Sequence, residues 1–245
     1  MTVPILYPCI MLAALAAGTW LTRRRQAALP LTSPQKWGIA LGAFCGGMLG
    51  AKLPFALADP QGPLCVQAWI ADGKTIMFGL AGGYLGVEVA KSLLEIRVKT
   101  GDSFAIPVAV SIAIGRLGCF VGGCCYGVPT ELPWGVVYGD GVRRHPTQLY
   151  ELAFHLIAAG GLWVLEFRHQ FPRQPIKLYI GIYCVFRFAT EFLRPEARLW
   201  GGLTGYQWTA LALLPVISLL WWQDRLSDET SGPAASPQSG GRSAR

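Results

Sequence analysis

Charge is scarce in this sequence. Only 14% of its 245 residues are Asp, Glu, Lys or Arg, and 52% are hydrophobic. Soluble domains carry roughly 25% charged residues, so an ordinary water-soluble domain is excluded. A mean hydropathy of +0.39 fits an integral membrane protein of one domain. No basic stripe accompanies the net charge of +7, which argues against nucleic acid as a partner. No C-x2-C pair occurs among the cysteines, so a zinc site has little support from spacing. No basic segment precedes the first apolar run; Arg23, Arg24 and Arg25 follow it, unlike a secretory signal peptide. Too few apolar residues precede Cys9 for a lipoprotein signal, and no internal repeat is visible.

What is present is a series of apolar runs. A membrane-spanning helix needs about 20 mostly apolar residues. Seven candidates fall near 3–22, 37–57, 75–94, 103–122, 147–166, 176–193 and 205–222. The fold class expected is an all-α bundle of about seven transmembrane helices. Thirteen Lys and Arg residues fall on one side of this topology and five on the other. The positive-inside rule then places the N-terminus outside and the C-terminus in the cytoplasm. Residues 1–225 form the transmembrane domain. Residues 226–245, rich in Ser, Gly and Pro, read as a disordered cytoplasmic tail.

Polar residues inside such runs are costly and mark sites. Arg116 lies in Gly115-Arg-Leu-Gly-Cys-Phe-Val-Gly-Gly-Cys-Cys-Tyr-Gly127 at the end of the fourth run. Its planar fork suits a phosphate, and a structural ion pair with Glu191 or another carboxylate is the alternative. Tyr183, Arg187, Glu191 and Arg194 follow at helical spacing on the sixth run, so Arg187 and Glu191 can pair locally. The fifth run is expected to start at His145-Pro146, with Gln148, Glu151 and His155 on one face. His145 reads as a base at the outer interface or as an end-cap residue.

Cys119, Cys124 and Cys125 could supply a thiol nucleophile beside Arg116, remain buried thiols, or form a disulfide. Adjacent Cys124 and Cys125 do not readily pair, which leaves Cys65 or Cys119 as a disulfide partner. Two glycine sets, Gly42, Gly46, Gly47, Gly50 and Gly79, Gly82, Gly83, Gly86, share helix faces. They serve either close helix packing or admission of a lipid against bare backbone.

Three ordered motifs carry a family resemblance. They are Gly-Arg-Leu-Gly-x-Phe at 115–120, Arg-His-Pro-Thr-Gln-Leu-Tyr-Glu at 144–151, and Arg-Phe-x-x-Glu-Phe-x-Arg at 187–194, followed by Gly-Leu-Thr-x-x-Gln at 202–207. With them the chain resembles the prolipoprotein diacylglyceryl transferase family over most of residues 1–225. The resemblance implies a multi-pass enzyme of the bacterial inner membrane. It implies transfer of diacylglyceryl from phosphatidylglycerol to the cysteine thiol of a prolipoprotein lipobox peptide, with no metal or cofactor. Arg116 and Arg187 would clamp the phosphate, Glu191 would orient Arg187, and His145 is the remaining candidate base. Tyr183, Gly127, Glu151 and Gln148 complete the expected substrate site. The chain departs from the family where Ala81 replaces a histidine, and where Cys119, Gly122 and Cys124 replace Asn, Asn and Glu. Those departures leave open a divergent paralog with another acceptor or thiol chemistry, or a lipid- or peptide-binding protein without turnover.

Overall fold

The computed structural model describes residues 3–58, 69, 75–168 and 174–230. Among them are seven long helices: α1 (Val3–Gln26), α2 (Ser33–Ala58), α3 (Ile76–Leu93), α4 (Gly101–Val121), α5 (Thr147–Phe167), α6 (Pro175–Thr190) and α7 (Gly205–Thr230). Each matches one apolar run of the sequence. Four of them, within α1, α2, α4 and α5, are long and apolar enough to cross a membrane by length and composition. A two-stranded antiparallel hairpin, β1 (Val136–Val137) and β2 (Arg143–Arg144), lies between α4 and α5.

Local chemistry sets several helix starts. Thr32 and Gln35 exchange hydrogen bonds at the start of α2: the Thr32 amide donates to Gln35 Oε1 at 3.0 Å, and the Gln35 amide donates to Thr32 Oγ1 at 3.5 Å. Thr204 and Gln207 repeat the device at α7, with distances of 3.0 and 3.3 Å. This reciprocal box satisfies amides that have no partner inside the helix. Thr75 caps α3 by accepting the Phe78 amide. α5 starts at Thr147 rather than at His145-Pro146, because Pro146 (ψ 67°) stands at the capping position outside the helix. α6 ends at Thr190, and Glu191–Leu193 tighten into a 3-10 turn. α7 runs on to Thr230, beyond the boundary expected at 225; residues 231–245 of the expected tail lie outside the described residues, as does Cys65.

The two glycine sets have one explanation. α2 and α3 are antiparallel and pack more extensively than any other pair. Gly42 meets Gly86, Gly46 meets Gly82, and Gly50 meets the backbone of Phe78. A Cβ on Gly82 would come within 2.9 Å of Gly50 Cα and closer still to the Gly46 carbonyl. Bare backbone therefore touches bare backbone, leaving no room there for a lipid chain. Apolar lipid tails give no hydrophobic drive to helix association, so close van der Waals packing must supply it.

α6 is the centre of the bundle. It buries Tyr179, Ile180, Tyr183 and Cys184 against Met77 and Leu80 of α3, Ala105 and Ala109 of α4, Ala159 and Leu162 of α5, and Ala210 and Ile217 of α7. Its 16 residues are the shortest run of the seven. Its polar groups lie on the face packed against these neighbours, while Ile182 and Val185 on the opposite face are exposed and apolar. The outer helices expose Leu15, Phe44, Leu57, Ile157 and Leu219, as a surface that meets hydrocarbon requires.

At one end of the bundle, ion pairs tie helices together. Arg25 pairs with Glu166 at 2.5 Å, and Lys177 with Asp224 at 2.5 Å. The opposite end gathers the C-termini of α2, α4 and α6 and the N-termini of α3, α5 and α7. The sequence motifs all lie there.

The glycine seam gives a direct test. Replacing Gly46 by Leu should lower stability by about 1–3 kcal/mol, the usual cost of overpacking, read as a lower thermal midpoint in detergent. Gly160→Ala, where an added Cβ meets nothing within 4 Å, should leave the midpoint unchanged or slightly raised. Equal effects at both positions would contradict the seam.

Candidate active site

Glu151 stands one turn into α5 and is 1% exposed. Three arginines converge on it. Arg116 of α4 pairs with its Oε2. Arg194, just past the 3-10 turn, donates to its Oε1 at 2.6 Å. Arg187, in the last turn of α6, approaches the same oxygen at 3.8 Å. A second carboxylate, Glu191, pairs with Arg187 at 2.8 Å and accepts the Thr204 hydroxyl at 2.8 Å. That hydroxyl in turn accepts the Gln207 amide, so the capping box of α7 holds the partner of Arg187. The two ends of the third sequence motif are thereby joined through one carboxylate.

Taken together, three guanidinium groups face two buried carboxylates, and all three line one cavity. This cavity, of about 310 Å³, is lined by Arg116, Arg187, Arg194, Tyr183, Tyr206 and Cys125, with Phe55, Thr75, Ile76 and Met77 from α2 and α3 and the exposed Glu196 at its rim. Arg116 Nε, Arg187 Nη1 and Arg194 Nε are buried without a hydrogen-bond partner. The Tyr206 ring lies under Arg187, 4.6 Å from the guanidinium carbon, and fixes its plane. Unspent donors on preorganised guanidinium forks in a low-dielectric pocket form an anion site suited to phosphate or carboxylate. A larger cleft of about 650 Å³ lies between α1, α2 and α4, with Arg23, Lys36 and Trp37 in its wall. It lacks the convergence of charge seen around Glu151.

The expected residues separate into two groups. Arg116, Arg187 and Tyr183 line the cavity, and Glu151 and Glu191 hold its arginines. The ion pair weighed for Arg116 does form, but with Glu151 rather than Glu191. His145, Gln148 and Gly127 do not line the cavity. The His145 ring meets the Tyr150 hydroxyl through Nδ1 at 3.2 Å, and its backbone bonds to Val128 and Gly127. Gln148 is fully buried and donates to the Cys124 carbonyl at 2.5 Å while accepting the Tyr138 hydroxyl at 3.0 Å. Gly127 is a close approach: a Cβ there would sit 2.5 Å from the Leu193 carbonyl and 2.8 Å from His145 Cβ. These three fasten the segment between α4 and α5 above the site. Arg194 and Tyr206 escaped the sequence-based site, although Arg194 stood at helical spacing from Arg187. Ala81 does not line the cavity.

The thiols are also brought together. Cys119, Cys124 and Cys125 are free, with sulfurs all within 4.8 Å of one another. Gly123 (φ 63°) and Cys125 (φ 61°) both take left-handed backbone, which costs a side-chain-bearing residue about 1–2 kcal/mol. That double bend folds the chain back over the end of α4. Cys125 joins the cavity wall. Its thiol is pulled down to about 5, chiefly by the hydrogen bond with the Cys119 thiol and then by the positive charges of Arg116 and Arg194, against the effect of burial. The Cys124 thiol moves the other way, raised by burial and by Cys125 beside it.

The Prolipoprotein diacylglyceryl transferase family model matches residues 4–223. A phosphatidylglycerol–prolipoprotein diacylglyceryl transferase of Nitratidesulfovibrio vulgaris strain Hildenborough is 33% identical, over 94% of this chain and 92% of its own length. Proteins of the same description from Solidesulfovibrio magneticus and Azotobacter vinelandii are 31% and 29% identical, over 84% and 87% of this chain and 84% and 85% of their own lengths.

The thiol inequality is measurable. In the presence of a chelator, alkylation of Cys125 by a neutral haloacetamide should stay fast down to about pH 5. Below that it should fall tenfold per pH unit, as the thiolate fraction does. Cys124 should require alkaline pH. Mass spectrometry of the labelled peptides separates the two, and equal pH profiles would contradict the assignment.

Proposed function

The chain belongs to the prolipoprotein diacylglyceryl transferase family, and from that premise we propose that it transfers the diacylglyceryl group of phosphatidylglycerol to the cysteine thiol of a prolipoprotein. The observation that carries this reading is the arginine cluster with unused donors in one cavity. The donor lipid has an anionic phosphate, and the departing glycerol phosphate gains a further negative charge. Arg116 and Arg187 bind that phosphate, and their donors count for more as charge develops on the leaving oxygen. Arg194 holds Glu151 in place, and Glu191 with Thr204 fixes the plane of Arg187. Tyr183 and Tyr206 form the wall against which the glycerol unit packs.

The reaction is a displacement at carbon. The acceptor sulfur forms the new C–S bond, the C–O bond to phosphate breaks, and its electron pair leaves with the phosphate oxygen. The acceptor thiol proton is released to solvent. His145 does not touch the lipid in this reading; it positions Tyr150 and the segment that covers the cavity.

The seven helices all span the bilayer, with the N-terminus outside and the C-terminus in the cytoplasm. The bias of Lys and Arg supports this orientation. It places the arginine cluster at the outer leaflet of the bacterial inner membrane, where a lipid headgroup and an exported peptide can both arrive. The tail beyond the last helix is cytoplasmic.

Purified full-length protein with phosphatidylglycerol and a lipobox peptide should yield a peptide heavier by one diacylglyceryl group. Arg116→Ala and Arg187→Ala should each lower turnover about 100- to 1,000-fold, the scale for losing a donor to developing charge. Unchanged turnover in Arg116→Ala would overturn the phosphate role. Arg187→Lys, which keeps the charge and loses the fork, should recover only a small part of the activity.

A further inference from the structure

The thiol cluster has more order than three unrelated cysteines would show. The sulfurs of Cys119, Cys124 and Cys125 lie within 4.8 Å of one another. A tetrahedral ion with metal–sulfur bonds of about 2.3 Å needs sulfur–sulfur separations of about 3.8 Å, so small side-chain rotations close the site. The backbone that carries two of these thiols is pinned from three directions. Gln148 donates to the Cys124 carbonyl at 2.5 Å, Thr147 to the Cys125 carbonyl at 2.8 Å, and Arg194 to the same carbonyl at 3.0 Å. Cys125 is held in left-handed backbone, a strain that persists where surrounding structure imposes it and that clusters at functional sites. Preorganised ligands held by a second layer of hydrogen bonds are what a metal centre requires.

We propose that Cys119, Cys124 and Cys125 form a three-thiolate site for a soft divalent ion of the zinc class, with its fourth position open to a thiol entering the cavity. The ligand set selects the ion: thiolates favour zinc over magnesium or calcium. The number of ligands sets the type of site. Among the described residues no fourth His, Cys, Asp or Glu joins the group, and three protein ligands with one open position characterise catalytic rather than structural zinc. Three thiolates and one divalent ion carry a net charge of −1, which the neighbouring Arg116 and Arg194 offset. The spacing escaped the C-x2-C rule because the ligands stand at positions i, i+5 and i+6, joined by a helix end and a left-handed bend.

The role of the open position rests on the transferase reading. An acceptor thiol binds there as its thiolate and releases its proton to solvent. The bound sulfur then forms the C–S bond to the glycerol carbon, while the C–O electron pair leaves on glycerol phosphate. The ion changes no oxidation state, and the products are the thioether, glycerol phosphate and one proton. In a chain where Ala81 stands in place of the family's histidine, a metal-bound thiolate would need no general base to activate the acceptor.

The test reads metal directly, without lipid or turnover. Full-length protein, purified reduced in detergent and dialysed against zinc, should retain one equivalent of zinc by elemental analysis. The C119S/C124S/C125S variant, checked for folding by circular dichroism, should retain none. Cobalt in place of zinc in the wild-type chain should give a thiolate-to-metal charge-transfer band and the intense visible absorption of a tetrahedral centre. A short peptide with one cysteine should shift that visible absorption, and its serine analogue should not. Zinc retention no greater than in the serine variant, an oxidised Cys119–Cys124 or Cys119–Cys125 pair in the reduced preparation, or a cobalt spectrum indifferent to the cysteine peptide would each overturn the proposal. The anion site is read separately: Arg116→Ala should lose lipid transfer while keeping its zinc.

Discussion

The site is organised around one buried carboxylate. Glu151 accepts charge from Arg116, Arg187 and Arg194, and these come from α4, α6 and the segment after the 3-10 turn. Taking an ion out of water costs several kcal/mol even after relaxation. No one of these arginines could be buried at the end of a membrane helix without a counter-charge. Glu151 alone is too little for three, and Glu191 is supplied by the 3-10 turn that directly continues the helix carrying Arg187. The result is a cluster that is balanced enough to fold and still has guanidinium donors unused. In the proposed reaction a lipid phosphate takes up those donors. Stability and the proposed affinity therefore draw on the same arginines.

That cluster depends on a rigid frame. α6 packs its inner side against α3, α4, α5 and α7, so it can carry Tyr183 and Arg187 toward the cavity while Ile182 and Val185 face outward. α2 and α3 are fused by the glycine seam and present Phe55 and Met77 as the apolar side of the pocket. At the far end, the Arg25–Glu166 pair is partly exposed, where an ion pair contributes little, whereas Lys177 is buried and is held by Asp224 and the Leu220 carbonyl. The convergence of several buried charges is confined to the end where a substrate would bind.

Much of this was legible in the residues. Apolar runs of about spanning length located the seven long helices among the described residues, since a spanning length is a direct physical requirement. The i, i+4 spacing of Arg187 and Glu191 predicted their pair because that contact lies within one helix. Contacts between helices were harder. Arg116 was open to Glu191 or another carboxylate, and spacing along a helix does not say which neighbour it faces. His145 sat in the same motif as Glu151, yet a helix cap separates them, and Gln148, inside α5, is spent on the Cys124 carbonyl and the Tyr138 hydroxyl. Pro146 leaves His145 outside α5, while Glu151 one turn later points inward. The three thiols were visible, but their convergence needed a bend at Gly123 and Cys125 that no periodicity predicts.

Helix ends also explain why the cluster sits where it does. The last turn of a helix carries a partial negative charge and the first turns a partial positive one. Arg187 lies in the last turn of α6, and Glu151 lies near the start of α5, so each charge faces the favourable end of its own helix. The same reasoning bears on an incoming phosphate. The starts of α3, α5 and α7 and the ends of α2, α4 and α6 at this side offset one another, so the guanidinium groups are what favour an anion here, while hydrocarbon around the helix middles disfavours it. A lipid that arrives with its chains along α2 and α3 and its headgroup at the arginines would satisfy both preferences. Replacing polar neighbours by thiols leaves the ion pairs intact, because Glu151 and Glu191, not the replaced positions, are the carboxylates that hold the three arginines. The family's phosphate chemistry and a new thiol-lined wall can thus coexist in one cavity.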